Sequence, residues 1–359
     1  MELSRLSLEK ILENSDVEKL SLENLEGLFL SEETIREHAP SGAYSVDPRT
    51  GEIIVYSEAR TRRPHDNRSP GRRVSDGREN AVETVRCVIC EGKTTGVVDV
   101  APLSDGFTFI NKNLFPAVYP HDEVEGMEKV SGFHFLQWTS SIHGRDWHNM
   151  STEDLTVVMR RLGILEERLL SYGKYQYVIV IKNYGREVGG SLSHGHQQII
   201  WTDAKPGHFL KDELFSRERG MSFSSYMLEA NPSQLIVKDY GRAVLVVPYF
   251  MKRQFDMILL LKDAKKTNIF QLEDEELRAV AMAFHDAARS IVGLMPRRGR
   301  NPAYNIVTHN TGESGLYFEF LPYMQEMGGL ERLGFYICEG NPENAARLLR
   351  REIEGEEAS

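Results

Sequence analysis

The sequence predicts an α+β protein made of two similar halves, each an antiparallel sheet with helices packed against it. Three observations carry this prediction. The chain has 359 residues, which exceeds one typical domain. Short apolar runs bounded by turn residues alternate with long amphipathic segments. The order of elements over residues 44–200 recurs in the second half, which indicates an internal duplication.

Composition restricts the classes of function. Apolar residues make up 41% of the chain, and 43 basic against 53 acidic residues give a net charge of −10. A chain this acidic is a poor candidate for general nucleic-acid binding. It shows no apolar run of transmembrane length, no signal-peptide pattern and too few cysteines for a disulfide framework. We therefore expect a cytoplasmic protein that binds neither nucleic acid nor membranes.

Three regions are predicted along the chain. They are a helical N-terminal arm over residues 1–40, a first domain over 41–202 and a second domain over 203–359. Leucines recur in the arm at helical spacing, which indicates short amphipathic helices used for packing or dimerisation.

The elements of the two domains follow from apolar periodicity. In the first domain we expect strands at 52–56, 107–117, 132–142 and 177–181. Ser151 and Asp154 form a weak capping box at the start of a helix that precedes the last of these strands. The second domain opens with a loop-rich stretch over 203–233. It continues with strands at 243–249, 256–261, 305–309 and 317–322, and with helices at 272–292 and 342–354.

Residues 189–198 contain the most informative motif of the chain. The segment reads Gly-Gly-Ser-Leu-Ser-His-Gly-His-Gln-Gln and follows the buried strand at 177–181. Two histidines one residue apart on extended backbone point to opposite sides. His194 can therefore serve a metal while His196 faces a substrate as a nucleophile toward phosphorus.

Other polar residues offer candidate ligands, each with a plainer alternative. Cys87 and Cys90 have the spacing of a zinc clip, although a redox pair or two buried thiols share that pattern. Two arginines, Arg60 and Arg63, can clamp a phosphate or lie on a solvated surface. Two asparagines can read a base or ribose, or only shape a turn: Asn111 and Asn113.

Taken together, four stretches resemble the galactose-1-phosphate uridylyltransferase family, a double-domain branch of the histidine-triad superfamily. They span roughly residues 44–350. The first stretch is Asp47-Pro48-Arg49-Thr50-Gly51-Glu52 through Ser57, with Arg60, Arg63 and Pro64, and the second is Cys87-x-x-Cys90. The third is Asn183 with Gly190-Ser191 and His194-x-His196-x-Gln198, and the fourth is Glu319-Phe320-Leu321-Pro322 with Gly328-Gly329-x-Glu331. The resemblance implies two histidine-triad-like half-domains and a homodimer.

The resemblance also implies a zinc cofactor. Its four ligands would be Cys87, Cys90, His143 and His194. We prefer His143 to His134 and His148 because it stands at the family's distance ahead of the helix that begins near Ser151. Such a four-ligand site leaves no open position, so zinc would hold the loop rather than act on phosphate.

The remaining matching residues take substrate roles by the same resemblance. His196 would be the nucleophile that takes the nucleotidyl group, and Gln198 would hydrogen-bond a non-bridging phosphate oxygen. Phosphate contacts would come from Arg60, Arg63, Asn183 and Ser191, and nucleoside contacts from Asn111 and Asn113.

The implied activity is that of a UDP-glucose–hexose-1-phosphate uridylyltransferase of galactose metabolism, which passes UMP through His196. Its partners would be a nucleotide sugar and a sugar 1-phosphate. A close alternative is a phosphorylase of ADP-glucose type or for dinucleoside polyphosphates, in which phosphate is the acceptor. A second alternative is a non-catalytic protein that binds zinc and a nucleotide. The intact set of His196, Gln198 and Ser191 argues against that reading.

Two departures from the family pattern affect these expectations. Gly195 stands between the two histidines, where the family often has proline, and Ser193 precedes them. The resulting Ser-His-x-His-x-Gln form also occurs in relatives that resemble nucleotide-sugar phosphorylases. In the second domain, a His-x-His pair is replaced by Gly315 and Tyr317, which leaves His309 without its usual companions. We therefore expect no second metal beside His309.

Overall fold

The computed structural model describes residues 16–31, 33–63, 87–92, 96–121 and 129–355. The start of the predicted arm, residues 1–15, lies outside these ranges, as does the Arg-rich segment from Pro64 to about Asn80. All predicted site residues lie within them.

The described strands form a two-stranded hairpin and one large antiparallel sheet. Their bounds are β1 Tyr44–Val46, β2 Ile53–Val55, β3 Val97–Pro102, β4 Phe107–Lys112, β5 Gly132–Trp138, β6 Tyr177–Tyr184, β7 His196–Thr202, β8 Ile236–Asp239, β9 Ala243–Val246, β10 Met257–Leu261, β11 Tyr304–Thr311 and β12 Gly315–Pro322.

The order of the ten strands in the large sheet is β3-β4-β5-β7-β6-β11-β12-β10-β9-β8. Each half of the sheet has the same strand order from its edge to the centre. The order β3-β4-β5-β7-β6 of the first half corresponds to β8-β9-β10-β12-β11 of the second. The two halves share one continuous sheet since β6 pairs with β11, where Asn183 lies opposite Asn305. The predicted antiparallel α+β class is confirmed. The repeated order supports an internal duplication, which stays a prediction.

Helices cover both faces of this sheet. Their bounds are α1 Leu22–Leu30, α2 Glu33–His38, α3 Thr152–Ser171, α4 Gly207–Arg219, α5 Phe223–Ala230, α6 Asp274–Arg297, α7 Gly329–Arg332 and α8 Pro342–Glu354. None of the helices in the described ranges is long and apolar enough to cross a membrane.

The long helices α3 and α6 pack on one face of the sheet and bury the main core. Phe284 of α6 lies at the centre, with its ring 4.8 Å from Trp147 and 5.0 Å from both Phe318 and Phe320 of β12. Helix α3 begins where predicted, because the Ser151 hydroxyl accepts the Asp154 N–H. The opposite face carries α4, α5 and the cavities described below.

The expectation of a loop-rich stretch over 203–233 is wrong, because α4 and α5 occupy most of it. Helix α4 buries only Phe209 and Asp212, so its sequence lacks an apolar stripe that periodicity could detect. Ser222 caps α5 by accepting the N–H of Ser225. The predicted boundary between the domains falls just after β7 and stays a prediction.

Candidate functional site

Two cysteines and two histidines form a compact group at the end of β5 and the start of β7. The ligand atoms of Cys87, Cys90, His143 and His194 all lie within 4.8 Å of one another. Nδ1 of His194 is 3.7 Å from each sulfur, and Nδ1 of His143 is 3.5 Å from the Cys90 sulfur. In a tetrahedral zinc site, bonds of about 2.3 Å to sulfur and 2.0 Å to nitrogen place these atoms about 3.5 Å apart. The four residues therefore fit the predicted cofactor.

The orientation of His194 is fixed from its other side. Its Nε2 lies 2.8 Å from the carbonyl oxygen of Ser140 and, as the donor of that bond, carries the ring proton. Nδ1 is then an unprotonated ligand atom directed at the two thiols. A hydrogen bond of this kind sets both the tautomer and the angle of a metal-binding histidine.

Burial affects the thiol of Cys87. It raises the pKa of Cys87 to about 11, and the neighbouring Cys90 side chain raises it further. Cysteines bind metals as thiolates, so loading this group with a divalent cation would release protons from it.

His196 lies on the opposite side of the loop and faces a cleft. Its Nδ1 is 2.8 Å from the carbonyl oxygen of His194 and must donate to it, since a carbonyl only accepts. Nε2 consequently keeps its lone pair. Burial lowers the pKa of His196 to about 4, so the ring is neutral at physiological pH. A neutral imidazole with a fixed tautomer is a competent nucleophile.

The loop that carries both histidines rests on a buried ion pair. Lys182 Nζ lies 2.7 Å from Asp146 Oδ2 and donates to the carbonyl oxygen of His196 at 3.0 Å. Asp146 Oδ1 accepts the N–H of Trp147 at 2.8 Å and the hydroxyl of Thr139 at 3.3 Å. Sequence reasoning missed these residues, although a lysine directly after the apolar run at 177–181 is an unusual signal.

Gly195 fits where a larger residue would not. A Cβ atom there would lie 2.7 Å from the carbonyl oxygen of Arg145, 2.7 Å from Asp146 Cγ and 2.8 Å from the Thr139 hydroxyl. The backbone between the histidines packs directly on the segment that holds the ion pair. Glycine at this position is therefore a steric requirement of this chain.

The cleft beside His196 gathers every substrate residue that the sequence predicted. Its apolar walls include Ile89, Leu114, Leu136 and Leu192, and its polar lining comprises Arg60, Arg63, Asn111, Lys112, Asn113, Asn183, Ser191, His196 and Gln198. These residues come from the segment after β2, from β4 to β7 and from the glycine turn at 189–190. The arrangement suits a ligand with a flat apolar part and an anionic part.

Two guanidinium groups contribute positive charge to this cleft, which Lys112 also lines. Arg60 donates to the carbonyl oxygen of Phe115 at 2.7 Å, and burial together with the charge of Arg63 lowers the pKa of Arg60 to about 10. The Nε of Arg63 is buried without a hydrogen-bond partner, and neither arginine pairs with a carboxylate within the described residues. Two adjacent cations of this kind favour a phosphate.

The asparagines are held differently. The Oδ1 of Asn111 accepts the indole N–H of Trp138 at 2.8 Å, and the Oδ1 of Asn113 accepts the N–H of Phe115 at 2.9 Å. Asn183 accepts a hydrogen bond from the Asn305 amide at 2.8 Å. Asn113 therefore shapes a turn, which was the plainer of its two predicted roles, and it lines the cleft as well.

His134, an alternative to His143 as a zinc ligand, is fully buried outside the metal group and packs against Asn113 of the cleft lining. Its Nδ1 accepts the N–H of Ala117 at 2.9 Å, so the neutral ring carries its proton on Nε2. Its Nε2 lies 3.2 Å from the amide nitrogen of Asn113, and the side chain of Gln198 lies beside the ring. Burial lowers the pKa of His134 to about 3, which keeps this tautomer neutral.

His309 lies on the same face of the sheet, away from His196. Its Nδ1 is 2.9 Å from Asp212 and its Nε2 is 3.0 Å from Glu319, while its ring stacks on Tyr317 at 4.1 Å. Both ring nitrogens are therefore bound to carboxylates. Burial lowers the pKa of His309, but the two carboxylates outweigh burial and raise it to about 9.

Known proteins are similar to this chain in sequence and in fold, although no protein family profile matches the chain. The sequence is 21% identical over 334 residues to an ADP-glucose phosphorylase from Arabidopsis thaliana, covering 85% of this chain and 91% of the relative. A galactose-1-phosphate uridylyltransferase from Haemophilus influenzae matches 126 residues at 28% identity, 33% of this chain and 36% of the relative. A solved uridylyltransferase has a TM-score of 0.66 at 18% identity over 87% of this chain and 98% of its own. The predicted resemblance is thereby confirmed.

Proposed function

We propose that this protein, which resembles the galactose-1-phosphate uridylyltransferase family in sequence and fold, is a nucleotidyltransferase that acts through a nucleotidyl-His196 intermediate. The observation that carries the proposal is the 2.8 Å hydrogen bond from His196 Nδ1 to the His194 carbonyl oxygen. It leaves the Nε2 lone pair in a cleft that also holds Arg60, Arg63 and Gln198.

The chemistry proceeds in two displacements. Nε2 of His196 attacks the α-phosphorus of a nucleotide sugar; a nitrogen–phosphorus bond forms and the bond to the sugar 1-phosphate oxygen breaks. The acceptor oxygen then attacks the same phosphorus and returns the ring to its starting state. Arg60, Arg63 and the Gln198 amide would stabilise the charge on the non-bridging oxygens. The sugar 1-phosphate leaves as an anion and needs no strong acid.

The acceptor and the base form the finer part of the proposal. The motifs favour a uridylyltransferase that uses UDP-glucose and a hexose 1-phosphate. A second candidate, a phosphorylase that uses inorganic phosphate, gains support because the relative that matches 85% of the chain is an ADP-glucose phosphorylase. The lining asparagines suit uracil and adenine alike.

Intact-protein mass spectrometry after brief incubation with UDP-glucose or ADP-glucose tests the proposal. We expect a gain of one nucleoside monophosphate with the correct donor and none in His196→Ala, with His148→Ala as the histidine control outside the cleft. Adding hexose 1-phosphate or inorganic phosphate to the adduct identifies the acceptor by the loss of that mass. An unmodified protein with both donors would rule out these two substrates.

We further propose that Cys87, Cys90, His143 and His194 bind zinc. Zinc in such a site supplies a structural cross-link between segments that are far apart in the sequence. As a ligand, His194 would anchor the loop at that site, and its carbonyl oxygen orients the ring of His196.

A homodimer is the third part of the proposal. Support comes from exposed apolar side chains between α7 and α8, where Leu333 is 84% and Phe335 is 63% exposed. Contiguous apolar patches of this kind commonly mark protein interfaces. Light scattering on the protein and on Phe335→Ser tests it: we expect a dimer that the substitution weakens, and a monomeric parent protein would contradict it.

A further inference from the structure

A second cavity, larger than the cleft at His196, plays no part in the proposed transfer. Its volume is about 430 Å³, against about 90 Å³ for the cleft. It opens over β11 and β12, and its apolar floor includes Ile181 and Val307. Ile181 lies opposite Gln198 in the pairing of β6 with β7, so the two cavities adjoin on one face of the sheet.

A buried carboxyl group lies in the wall of this cavity. Asp256 is only 5% exposed and belongs to the cavity lining. Its Oδ2 accepts the N–H of Arg253 at 2.9 Å, whereas Oδ1 has no hydrogen-bond partner among the described residues. The Arg253 Nε lies 3.7 Å from Oδ1, beyond hydrogen-bond reach. A buried carboxyl oxygen without a donor costs about 1–3 kcal/mol.

The backbone next to Asp256 is strained. Phe255 has a φ of +71°, and no other non-glycine residue in the described ranges has a positive φ. A bulky residue in the left-handed region costs about 1–2 kcal/mol. Phe255 packs in the core, and the next residue, Asp256, lies in the wall of the cavity. The fold thus tolerates strain and an unsatisfied carboxyl group at the same place.

The rest of the lining has a definite chemical character. Glu319, held by His309, supplies a second carboxylate from β12. Lys252 and Arg253 supply two cations, and Lys252 Nζ lies 5.0 Å from the ring centre of Tyr336, which lines the cavity as well. Carboxylates, cations and an apolar floor are thus all available to one small ligand.

We propose that this cavity is a second ligand site, which binds a phosphorylated sugar. Sugar hydroxyls can donate to the carboxylates of Asp256 and Glu319, which are acceptors when ionised. The phosphoryl group matches the cations of Lys252 and Arg253. The C–H face of the ring fits the floor of Ile181 and Val307, and the volume lies in the usual range for small-ligand sites.

The proposal does not depend on the chemistry at His196. A sugar phosphate bound in the second cavity would lie beside the cleft, with strand β6 between it and a ligand at His196. Nucleotidyl transfer to His196 can therefore fail or succeed without deciding whether this second site exists.

Calorimetric titration of glucose 1-phosphate into the full-length His196→Ala protein tests the proposal. We expect one saturable site whose affinity falls at least tenfold in the additional variants Asp256→Asn and Arg253→Gln. The matched controls Asp239→Asn and Arg242→Gln, which change exposed ion pairs outside the cavity, should leave the affinity unchanged. Glucose alone and inorganic phosphate alone should each bind at least tenfold more weakly than glucose 1-phosphate.

Folding is separated from binding by the thermal midpoint of Asp256→Asn. Because Oδ1 has no donor in the fold, we expect this midpoint to stay constant or rise while affinity falls. The proposal is overturned by unchanged affinity in Asp256→Asn, by the absence of saturable binding, or by binding that is lost in Gln198→Ala alone. That last result would place the ligand in the His196 cleft. Equal affinity for inorganic phosphate would overturn the sugar part.

Discussion

His196 donates its Nδ1–H to the carbonyl oxygen of His194 across 2.8 Å, which joins the candidate nucleophile to a candidate metal ligand through one peptide segment. His194 is fixed in turn by the Ser140 carbonyl oxygen at 2.8 Å. The position of the nucleophile therefore depends on the geometry of the metal group, even though no ligand of that group contacts the phosphate in the proposed reaction.

Removal of one metal ligand is expected to release the metal and unfold the loop. In His143→Ala we expect bound zinc to fall from about one per chain to near zero, with a lower thermal midpoint and at least tenfold slower nucleotidylation of His196. Elemental analysis, thermal unfolding and mass spectrometry measure the three effects. The control His148→Ala should retain zinc, and a zinc-free parent protein would exclude this metal.

A methyl group at Gly195 is expected to displace the loop. The Cβ of Gly195→Ala would lie 2.7 Å from the backbone oxygen of Arg145, which cannot move as a flexible side chain can. We expect a loss of about 1–3 kcal/mol in the free energy of unfolding, measured in urea, together with slower nucleotidylation. Gly27→Ala, where a Cβ meets nothing within 4 Å, is the control and should be neutral or stabilising. A Gly195→Ala protein of parental stability would show that the loop adapts.

His134 is expected to act on the reaction through Gln198. His134→Phe keeps a flat ring but removes the Nε2–H, which lies beside the side chains of Asn113 and Gln198. We expect this variant and Gln198→Ala each to slow nucleotidylation about tenfold, which corresponds to about 1.4 kcal/mol in the barrier. The double variant should be no slower than Gln198→Ala. Additive losses would instead indicate that the two residues act separately.

Stability should fall at high pH because of His309. Its folded pKa of about 9 exceeds the unfolded value of about 6.5, so the interaction is fully present below pH 6.5. It is lost as the pH rises through 9, with a change of the order of 3 kcal/mol. Urea unfolding at pH 6.5 and 9.5 measures the change, and His309→Gln should show a smaller fall than the parent. Equal falls in both proteins would assign the effect to other groups.

Much of the fold could be predicted from periodicity. The final helix has its predicted bounds, Pro342–Glu354, because it combines a capping residue, a proline at its start and one strong apolar stripe. Helix α4 could not be predicted in this way, since it covers the sheet with few buried side chains. Its Asp212 reaches His309, a contact between residues 97 positions apart that local pattern does not encode.

The sequence by itself determined the residue types and the close pairs. Cys87 and Cys90 have the spacing of a zinc clip, which limits what they can bind. His194 and His196 are one residue apart, and two such residues on extended backbone face opposite sides. Only the tertiary structure decided which distant groups meet them. Tertiary packing brings Lys182 and Asp146 to the loop, and it places Asp256 in the wall of a second cavity. These contacts depend on packing between segments far apart in the chain, and packing of that kind leaves no periodic signal in the sequence.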